Sequence, residues 1–260
     1  MLNRAVGALI AALGLTACLH LESTAPPERP QFAVHAVIDP TTDQQLVLVY
    51  QARTGAATNA TNAHDTPVAN ALVTVTAPTG AVMMADERAF NSSPFPAGTY
   101  AYTPARYGVR PSSGGTYRLF VRTPSGQEVT GETTIPFAPA MSSPLPPMRF
   151  DRYRDTLRLR WPRAPRGGSY ELVIKTYQDE YRTFFDSSVV VPGTALTIAG
   201  NPVFLPGSVT LLVSAVDENY YEYYRSQNDP FAGTPPDHLT GAVGVFGSIA
   251  PLLTTDLSVY

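Results

Sequence analysis

The sequence predicts an all-β protein with two consecutive β-sandwich domains, and three observations lead to this fold class. The 260 residues include 25 prolines and 19 glycines, a composition typical of many short strands joined by turns. Several short segments alternate apolar and polar side chains with the period of a half-buried strand, and long amphipathic helices are not visible. An uncharged, proline-rich stretch near the middle separates two groups of such segments, which predicts two domains.

The N-terminus has the order of a secretory signal peptide. Arg4 is followed by an apolar run over residues 5–15, and the small pair Thr16-Ala17 precedes Cys18. This run is shorter than the roughly 20 residues that cross a bilayer as a helix. The sequence therefore predicts a signal peptide over residues 1–17 that is removed from the mature chain.

Cys18 is the only cysteine in the chain, so no disulfide can form within it. In a Leu15-Thr16-Ala17-Cys18 box, the expected use of the thiol is a thioether to diacylglycerol, with a further acyl chain on the new α-amine. Two or more acyl chains give stable residence in a membrane. We expect Cys18 to be the lipidation site and the mature N-terminus. An ordinary signal peptide followed by a chance cysteine is the alternative.

The remaining chain divides into a tether, two sandwiches and short connecting segments. Residues 18–31 are polar and proline-containing, which predicts a semi-extended lipidated tether. The first sandwich is expected over residues 32–138, with a loose stretch at 54–66 that is rich in Ala, Thr and Asn. Its predicted strands are 32–38, 45–50, 71–76, 116–123 and 128–135.

A domain boundary is expected where five prolines and no charged residue occur in twelve positions, 136–147, and the linker is assigned to residues 139–148. The second sandwich, with a C-terminal extension, is expected over residues 149–250, and residues 251–260 are predicted to form a tail. Its predicted strands are 156–161, 169–174, 187–191, 196–198 and 208–216.

Residue patterns that carry catalysis or bind cofactors are weak or missing in this sequence. Gly241-x-x-Gly244-x-x-Gly247 has the wrong spacing for a dinucleotide loop, and its apolar residues predict a terminal strand in which glycine permits bending or close packing. Adjacent carboxylates on a strand face opposite sides, so neither acidic pair of the chain can form a glycosidase site alone. These pairs are Asp179-Glu180 and Asp217-Glu218.

Metal sites and nucleic-acid sites are not expected either. The four histidines, at positions 20, 35, 64 and 238, have no metal-ligand spacing. Removal of Arg4 with the signal peptide changes the net charge only from −3 to −4, and no basic face for nucleic acid is visible. We therefore predict no enzyme activity, no metal and no cofactor.

Four tyrosines close to the C-terminal end form the most unusual segment of the sequence. Tyr220, Tyr221, Tyr223 and Tyr224 are spaced by one, three and four residues, which predicts a short helix with two rings against the sandwich and two nearer water. Tyrosine rings give a large contact area for little loss of entropy. The segment is therefore either a packed cover over the second domain or a contact surface for a partner or a glycan.

Each predicted domain resembles a known β-sandwich module. Residues 157–162 resemble the second strand of a fibronectin type III domain with its core tryptophan, 170–174 resemble the third strand, and 205–216 resemble the turn and strand before the last hairpin. The tyrosine expected at the corner after this turn is absent, and Val209 or Thr210 stands there.

The first domain is similar to bacterial immunoglobulin-like or transthyretin-like modules. Three segments carry this resemblance, at residues 67–75, 96–100 and 115–121. Such modules serve many unrelated functions, so the resemblance implies a fold and not an activity.

The whole chain resembles the envelope lipoproteins grouped as domain of unknown function 4249. The Cys18 box, the tyrosines at 220–224 and the glycines at 241–247 carry this resemblance, which covers residues 15–250. It implies a lipid-anchored protein of the bacterial outer membrane, without assigned catalytic residues, that associates with a TonB-dependent transporter. The expected function is a non-catalytic binding or accessory module. The alternatives are a module that captures carbohydrate or peptide, and a hydrolase with an unrecognised site.

Overall fold

The computed structural model describes residues 31–52, 66–88, 97–141, 149–162, 168–185, 188–192, 197–198, 201–202, 204–227 and 238–260. Within these ranges all regular elements are strands, apart from the 3-10 turn Pro104–Tyr107 and one α-helix, α1 (Glu218–Gln227). The predicted all-β fold class is confirmed. The signal peptide, Cys18, the tether up to residue 30 and linker residues 142–148 lie outside the described residues.

The strands are named β1 to β18 in chain order. The first eight are β1 (Gln31–Ile38), β2 (Gln45–Ala52), β3 (Thr66–Pro67), β4 (Leu72–Thr76), β5 (Val82–Glu87), β6 (Thr99–Tyr102), β7 (Thr116–Arg122) and β8 (Glu128–Thr134). The others are β9 (Arg149–Phe150), β10 (Thr156–Arg160), β11 (Ser169–Lys175), β12 (Glu180–Phe185), β13 (Ser188–Pro192), β14 (Thr197–Ile198), β15 (Asn201–Pro202), β16 (Gly207–Val216), β17 (Leu239–Thr240) and β18 (Val243–Val259).

The N-terminal half is a sheet that curls back on itself to enclose a core. Its strands follow the order β1-β2-β6-β5-β4-β7-β8-β17. The sheet turns at β5, because residues 82–85 pair with β4 while residues 86–87 pair with β6. Side chains alternate along β7, so that Tyr117, Leu119 and Val121 are buried and the residues between them face outward. This period of two is the reason that these segments form strands around a core.

The strands of the C-terminal half pack around a continuation of the same hydrophobic core. One layer has the order β12-β11-β16-β18, with β9 parallel to the end of β18, and β10 pairs with β13. Trp161, which follows β10, is buried against Tyr170 of β11 with ring centroids 5.2 Å apart. This is the position that the fibronectin-like pattern predicted for a core tryptophan.

The long strand β18 joins the two halves into one sheet. Its residues 243–248 pair in parallel with β1, and residues 249–259 pair antiparallel with β16. Residues 251–259 therefore belong to a strand, and the predicted tail at 251–260 is wrong. The reason is that β16 supplies a complete pairing edge for this segment, and Leu253, Leu257 and Val259 turn into the core.

Two glycines allow β18 to lie close to its neighbours, which is one of the two uses expected for glycine in this strand. Gly244 has φ +113°, and a Cβ atom there would stand 2.2 Å from the carbonyl oxygen of Val34 in β1. A Cβ atom on Gly247 would stand 3.0 Å from Cβ of Tyr220 in α1. Side chains at these positions would push β18 away from the strand and from the helix.

Candidate functional site

The helix α1, which carries the four tyrosines, begins with a half-buried cap. The side chain of Asp217 accepts hydrogen bonds from the backbone N–H of Tyr220 (3.1 Å), the backbone N–H of Ser248 (2.9 Å) and Oγ1 of Thr133 (2.6 Å). Its own carbonyl accepts the first helical bond, from Tyr221 at 3.0 Å. This is the geometry of an N-cap residue. Burial raises the pKa of the Asp217 carboxyl, against the effect of these hydrogen bonds.

A second side chain hydrogen-bonds the first turn of the helix to two strands. Nδ2 of Asn219 donates to the carbonyl oxygens of Glu132 in β8 (2.7 Å) and Phe246 in β18 (2.9 Å). Glu218, between the two anchoring residues, points to solvent. The acidic pair Asp217-Glu218 thus stands at a strand–helix junction, and its two carboxylates face different environments.

Tyr220 reaches a buried ion pair in the C-terminal half. Its side chain is buried, and its hydroxyl donates to Oε2 of Glu171 at 2.8 Å and accepts from Nη1 of Arg182 at 2.6 Å. Nη1 of Arg182 also lies 3.0 Å from Oε1 of Glu171, whose side chain is 4% exposed. Arg182 pairs in addition with Glu180. A buried carboxylate normally needs such partners, because an unpaired charge is costly to desolvate.

Tyr224 continues this arrangement one helical turn later and connects it to β1. Its ring lies 4.4 Å from that of Tyr220, between centroids, and the guanidinium of Arg182 is 5.1 Å from the Tyr224 centroid. The Tyr224 hydroxyl is 2.6 Å from Nε2 of His35. We call the group His35, Glu171, Arg182, Tyr220 and Tyr224 the Glu171 cluster. It holds α1 against strands from both halves of the protein.

The burial of the cluster changes how its members bind protons. Burial raises the pKa of Glu171, even though Arg182 and the Tyr220 hydroxyl stabilise the carboxylate. Burial, aided by the positive charge of Arg182, lowers the pKa of His35. Burial raises the pKa of Tyr224 to about 12. The neutral forms of His35 and Tyr224 are therefore the ones that the folded protein favours at neutral pH.

The other two tyrosines lie on the two flanks of the helix face that carries Tyr220 and Tyr224. The Tyr221 ring stands edge-on to Phe184 of β12 at 5.2 Å, and the guanidinium of Arg225 is 5.5 Å from its centroid. The Tyr223 ring makes an edge contact with Tyr224 at 5.2 Å. Both rings are half-buried. Their contacts hold them in place while part of each ring remains open to solvent.

The predicted short helix is thus confirmed, with Tyr220 buried and the other three tyrosines half-buried. The role of these rings in partner contact stays a prediction. Cys18, the predicted lipidation site, lies outside the described residues. No group of three or more His, Cys, Asp or Glu side chains in the described ranges could hold a metal ion.

Sequence reasoning did not identify the partners of the tyrosines. His35 and Tyr224 are 189 positions apart, and Glu171 and Tyr220 are 49 apart, so no local pattern connects them. One signal was present in the sequence. Glu171 interrupts an apolar strand, Tyr170-Glu171-Leu172-Val173-Ile174, and a carboxylate in such a place indicates a buried, paired group.

The other candidate residues occupy separate places. Glu180 of the pair Asp179-Glu180 lies 3.0 Å from Nζ of Lys175, and Asp179 forms the turn before it. His238 faces Glu222 of α1 at 2.7 Å. Histidines 20 and 64 lie outside the described residues. In the part of the chain that the structure describes, no helix is long and apolar enough to span a bilayer.

Three solved structures align with most of this chain at low sequence identity. A tetra-tandem repeat from the extending region of a large adhesion protein is 12% identical, with 88% of this chain and 49% of that chain covered and a TM-score of 0.24. A Ca²⁺-stabilised adhesin that helps an Antarctic bacterium bind ice is 13% identical (89% and 49% covered, TM-score 0.23). The chicken CNTN1 FN1–FN3 domains are 10% identical (86% and 68% covered, TM-score 0.23).

This chain spans about half the length of the two adhesin structures. A comparison with curated proteins finds none that matches the sequence. A family model described as "Domain of unknown function (DUF4249)" matches residues 20–250, which is most of the chain. The protein therefore belongs to the DUF4249 family.

Proposed function

We propose that this protein is a lipid-anchored lipoprotein of the bacterial outer membrane that acts as a non-catalytic binding module of the cell envelope. The observation that carries this proposal is the Leu15-Thr16-Ala17-Cys18 box, which follows a short apolar run and contains the only cysteine of the chain. Because a single cysteine has no disulfide partner in its own chain, the Cys18 thiol is available to form a thioether with a lipid.

We propose further that the protein docks onto another envelope protein through the outer side of α1. Tyr221 and Arg225 lie along one flank of this side and Tyr223 lies along the other, and tyrosine and arginine are the residue types that most often anchor protein interfaces. The Asp217 cap and the Glu171 cluster support this side, so little freedom would be lost on binding. The family resemblance favours a TonB-dependent transporter as the partner.

The anchor is tested by the substitution Cys18→Ala, with Thr16→Ser as the matched control in the same box. We expect Cys18→Ala to abolish incorporation of labelled fatty acid and to leave unprocessed precursor or soluble protein in cell fractions. Thr16→Ser should behave as the wild type. Processing of Cys18→Ala at the same position, with retention in the outer membrane, would show that the cysteine does not carry the anchor.

The docking surface is tested by crosslinking in intact cells, followed by purification and identification of the joined proteins. We expect Tyr221→Ser and Tyr223→Ser to keep the fold and to reduce recovery of the partner by about tenfold or more each. Tyr177→Ser is the control, because Tyr177 is 89% exposed and lies on the β11–β12 turn. Recovery that both α1 variants leave unchanged would exclude this surface, and a partner other than a TonB-dependent transporter would exclude that assignment.

A further inference from the structure

A second candidate surface lies on the outer face of the N-terminal sheet, where His238 also contacts Glu222 of α1. An open groove of about 490 Å³ runs over β7 and β8, between β4 on one side and β17 on the other. Side chains that line it include Thr76, Arg118, Phe120, Thr130, Glu132 and His238. This volume lies within the range of roughly 300–1,000 Å³ that is usual for small-molecule sites.

The charged side chains of β7 and β8 on this face form two solvent-exposed ion pairs, one of which lines the groove. Nε of Arg118 lies 2.7 Å from Oε2 of Glu132, and both side chains are more than half exposed. On the same face, Nη2 of Arg122 lies 2.7 Å from Oε1 of Glu128. Each pair presents N–H donors beside carboxylate acceptors, held in register by the pairing of β7 with β8. A ligand with a large net charge would therefore meet no excess of the opposite sign.

One aromatic ring occupies the middle of this polar surface. Phe120 is half-buried and stands in register between Thr74 of β4 and Thr130 of β8. The guanidinium of Arg122, which is not part of the groove lining, stands over one face of the Phe120 ring at 5.4 Å from its centroid, so a ligand can pack only on the other face. The groove thus combines a flat apolar patch with hydroxyls and with donor–acceptor pairs around it.

We propose that this groove binds a neutral saccharide. A pyranose ring has an apolar C–H face that packs on an aromatic ring, and hydroxyls at its rim that both donate and accept hydrogen bonds. The Arg118–Glu132 pair can receive two neighbouring hydroxyls, one on each partner, while the threonines bind others. The balanced charge favours a neutral saccharide over a phosphorylated one. This binding does not depend on the lipid anchor or on the docking of α1.

The experiment measures binding by the lipidated full chain in detergent micelles. The probes are fluorescent tetrasaccharides of glucose, galactose, mannose and N-acetylglucosamine, a phosphorylated mannose tetrasaccharide, and a Ser-Gly tetrapeptide. We expect at least one neutral tetrasaccharide to bind more tightly than the phosphorylated probe and the peptide. Phe120→Leu, which keeps an apolar side chain without a ring, and Glu132→Gln should each weaken that binding by about tenfold.

Met84→Leu is the control, since Met84 is an exposed apolar residue on β5 of the same sheet, outside the groove lining. It should leave binding unchanged. The proposal is overturned if no neutral tetrasaccharide binds at millimolar concentration, if Phe120→Leu and Glu132→Gln both bind like the wild type, or if the peptide or the phosphorylated probe binds best. If Phe120→Leu does not fold, the test rests on the binding measured for Glu132→Gln. We expect this variant to fold, because the exposed Glu132 side chain contributes little to stability.

Discussion

Replacing Tyr220 by phenylalanine isolates the contribution of one hydroxyl to the Glu171 cluster, because the ring stays in place. The hydroxyl lies 2.8 Å from Glu171 and 2.6 Å from Arg182, and the Glu171 side chain is only 4% exposed. A hydrogen bond to a charged group contributes about 1.5–3 kcal/mol, so we expect the free energy of unfolding to fall by about 2 kcal/mol. Arg182 remains 3.0 Å from Glu171, which should keep the loss below the roughly 3–5 kcal/mol of an orphaned buried charge.

The measurement is urea-induced unfolding followed by tryptophan fluorescence. Trp161 is the only tryptophan in the sequence, and it is buried beside Tyr170, so its emission reports directly on the C-terminal core. With a slope of about 2 kcal/mol per molar urea, the expected loss moves the midpoint down by about 1 M. Tyr221→Phe is the matched control and should stay within about 0.5 kcal/mol of the wild type.

Two results would refute this reasoning. If Tyr220→Phe unfolds at the same urea concentration as the wild type with the same slope, the hydroxyl does not stabilise the cluster. If Tyr221→Phe loses as much stability as Tyr220→Phe, the effect does not arise from the ion pair with Glu171.

Three further predictions use the same unfolding assay. Burial and the charge of Arg182 lower the pKa of His35 below 6.5, so the stability linked to neutral His35 is present above pH 6.5 and is lost as the pH falls below it. The urea midpoint should therefore drop more steeply from about pH 7 to pH 5 in the wild type than in His35→Gln, and equal slopes would contradict this. Gly244→Ala should lower the free energy of unfolding by about 3 kcal/mol or more, because the new Cβ atom clashes with backbone. Gly126 also has a positive φ but has open space around it, so Gly126→Ala should lower it by only about 1 kcal/mol. Similar losses in the two variants would disprove the clash. Asp217→Ala should cost about 2 kcal/mol because it removes the helix cap and leaves buried donors unpaired; a loss below about 0.5 kcal/mol would show that the cap is dispensable.

Strand patterns could be predicted from the sequence where one face of the strand is buried and the other is open. Residues 71–76 and 116–123 alternate clearly, and the structure has β4 and β7 there. β5 was not predicted, because Val82 and Met84 on its outer side are as apolar as Met83 and Ala85 on its inner side. Local alternation is then lost, although the strand itself is regular.

A terminal strand was predicted at residues 241–247, but the full course of β18 to Val259 could not be read from local sequence. Its first part, residues 243–248, is largely covered on both faces, by the core on one side and by α1 on the other. Its second part changes partner from β1 to β16, and the register shifts between Val213 and Ser214. A strand that changes partner joins two halves of the chain, and such pairing is a property of the tertiary structure.

By itself the sequence determined the all-β class, the short tyrosine helix and the close packing of the glycines at 241–247, because period, spacing and residue size act between neighbours in the chain. Only the tertiary structure decided which tyrosines are structural. Tyr220 and Tyr224 become so because Glu171 and His35, brought in from remote strands, face them across the fold. Buried polar groups must find partners wherever the chain provides them, and long-range partners leave no period in the sequence.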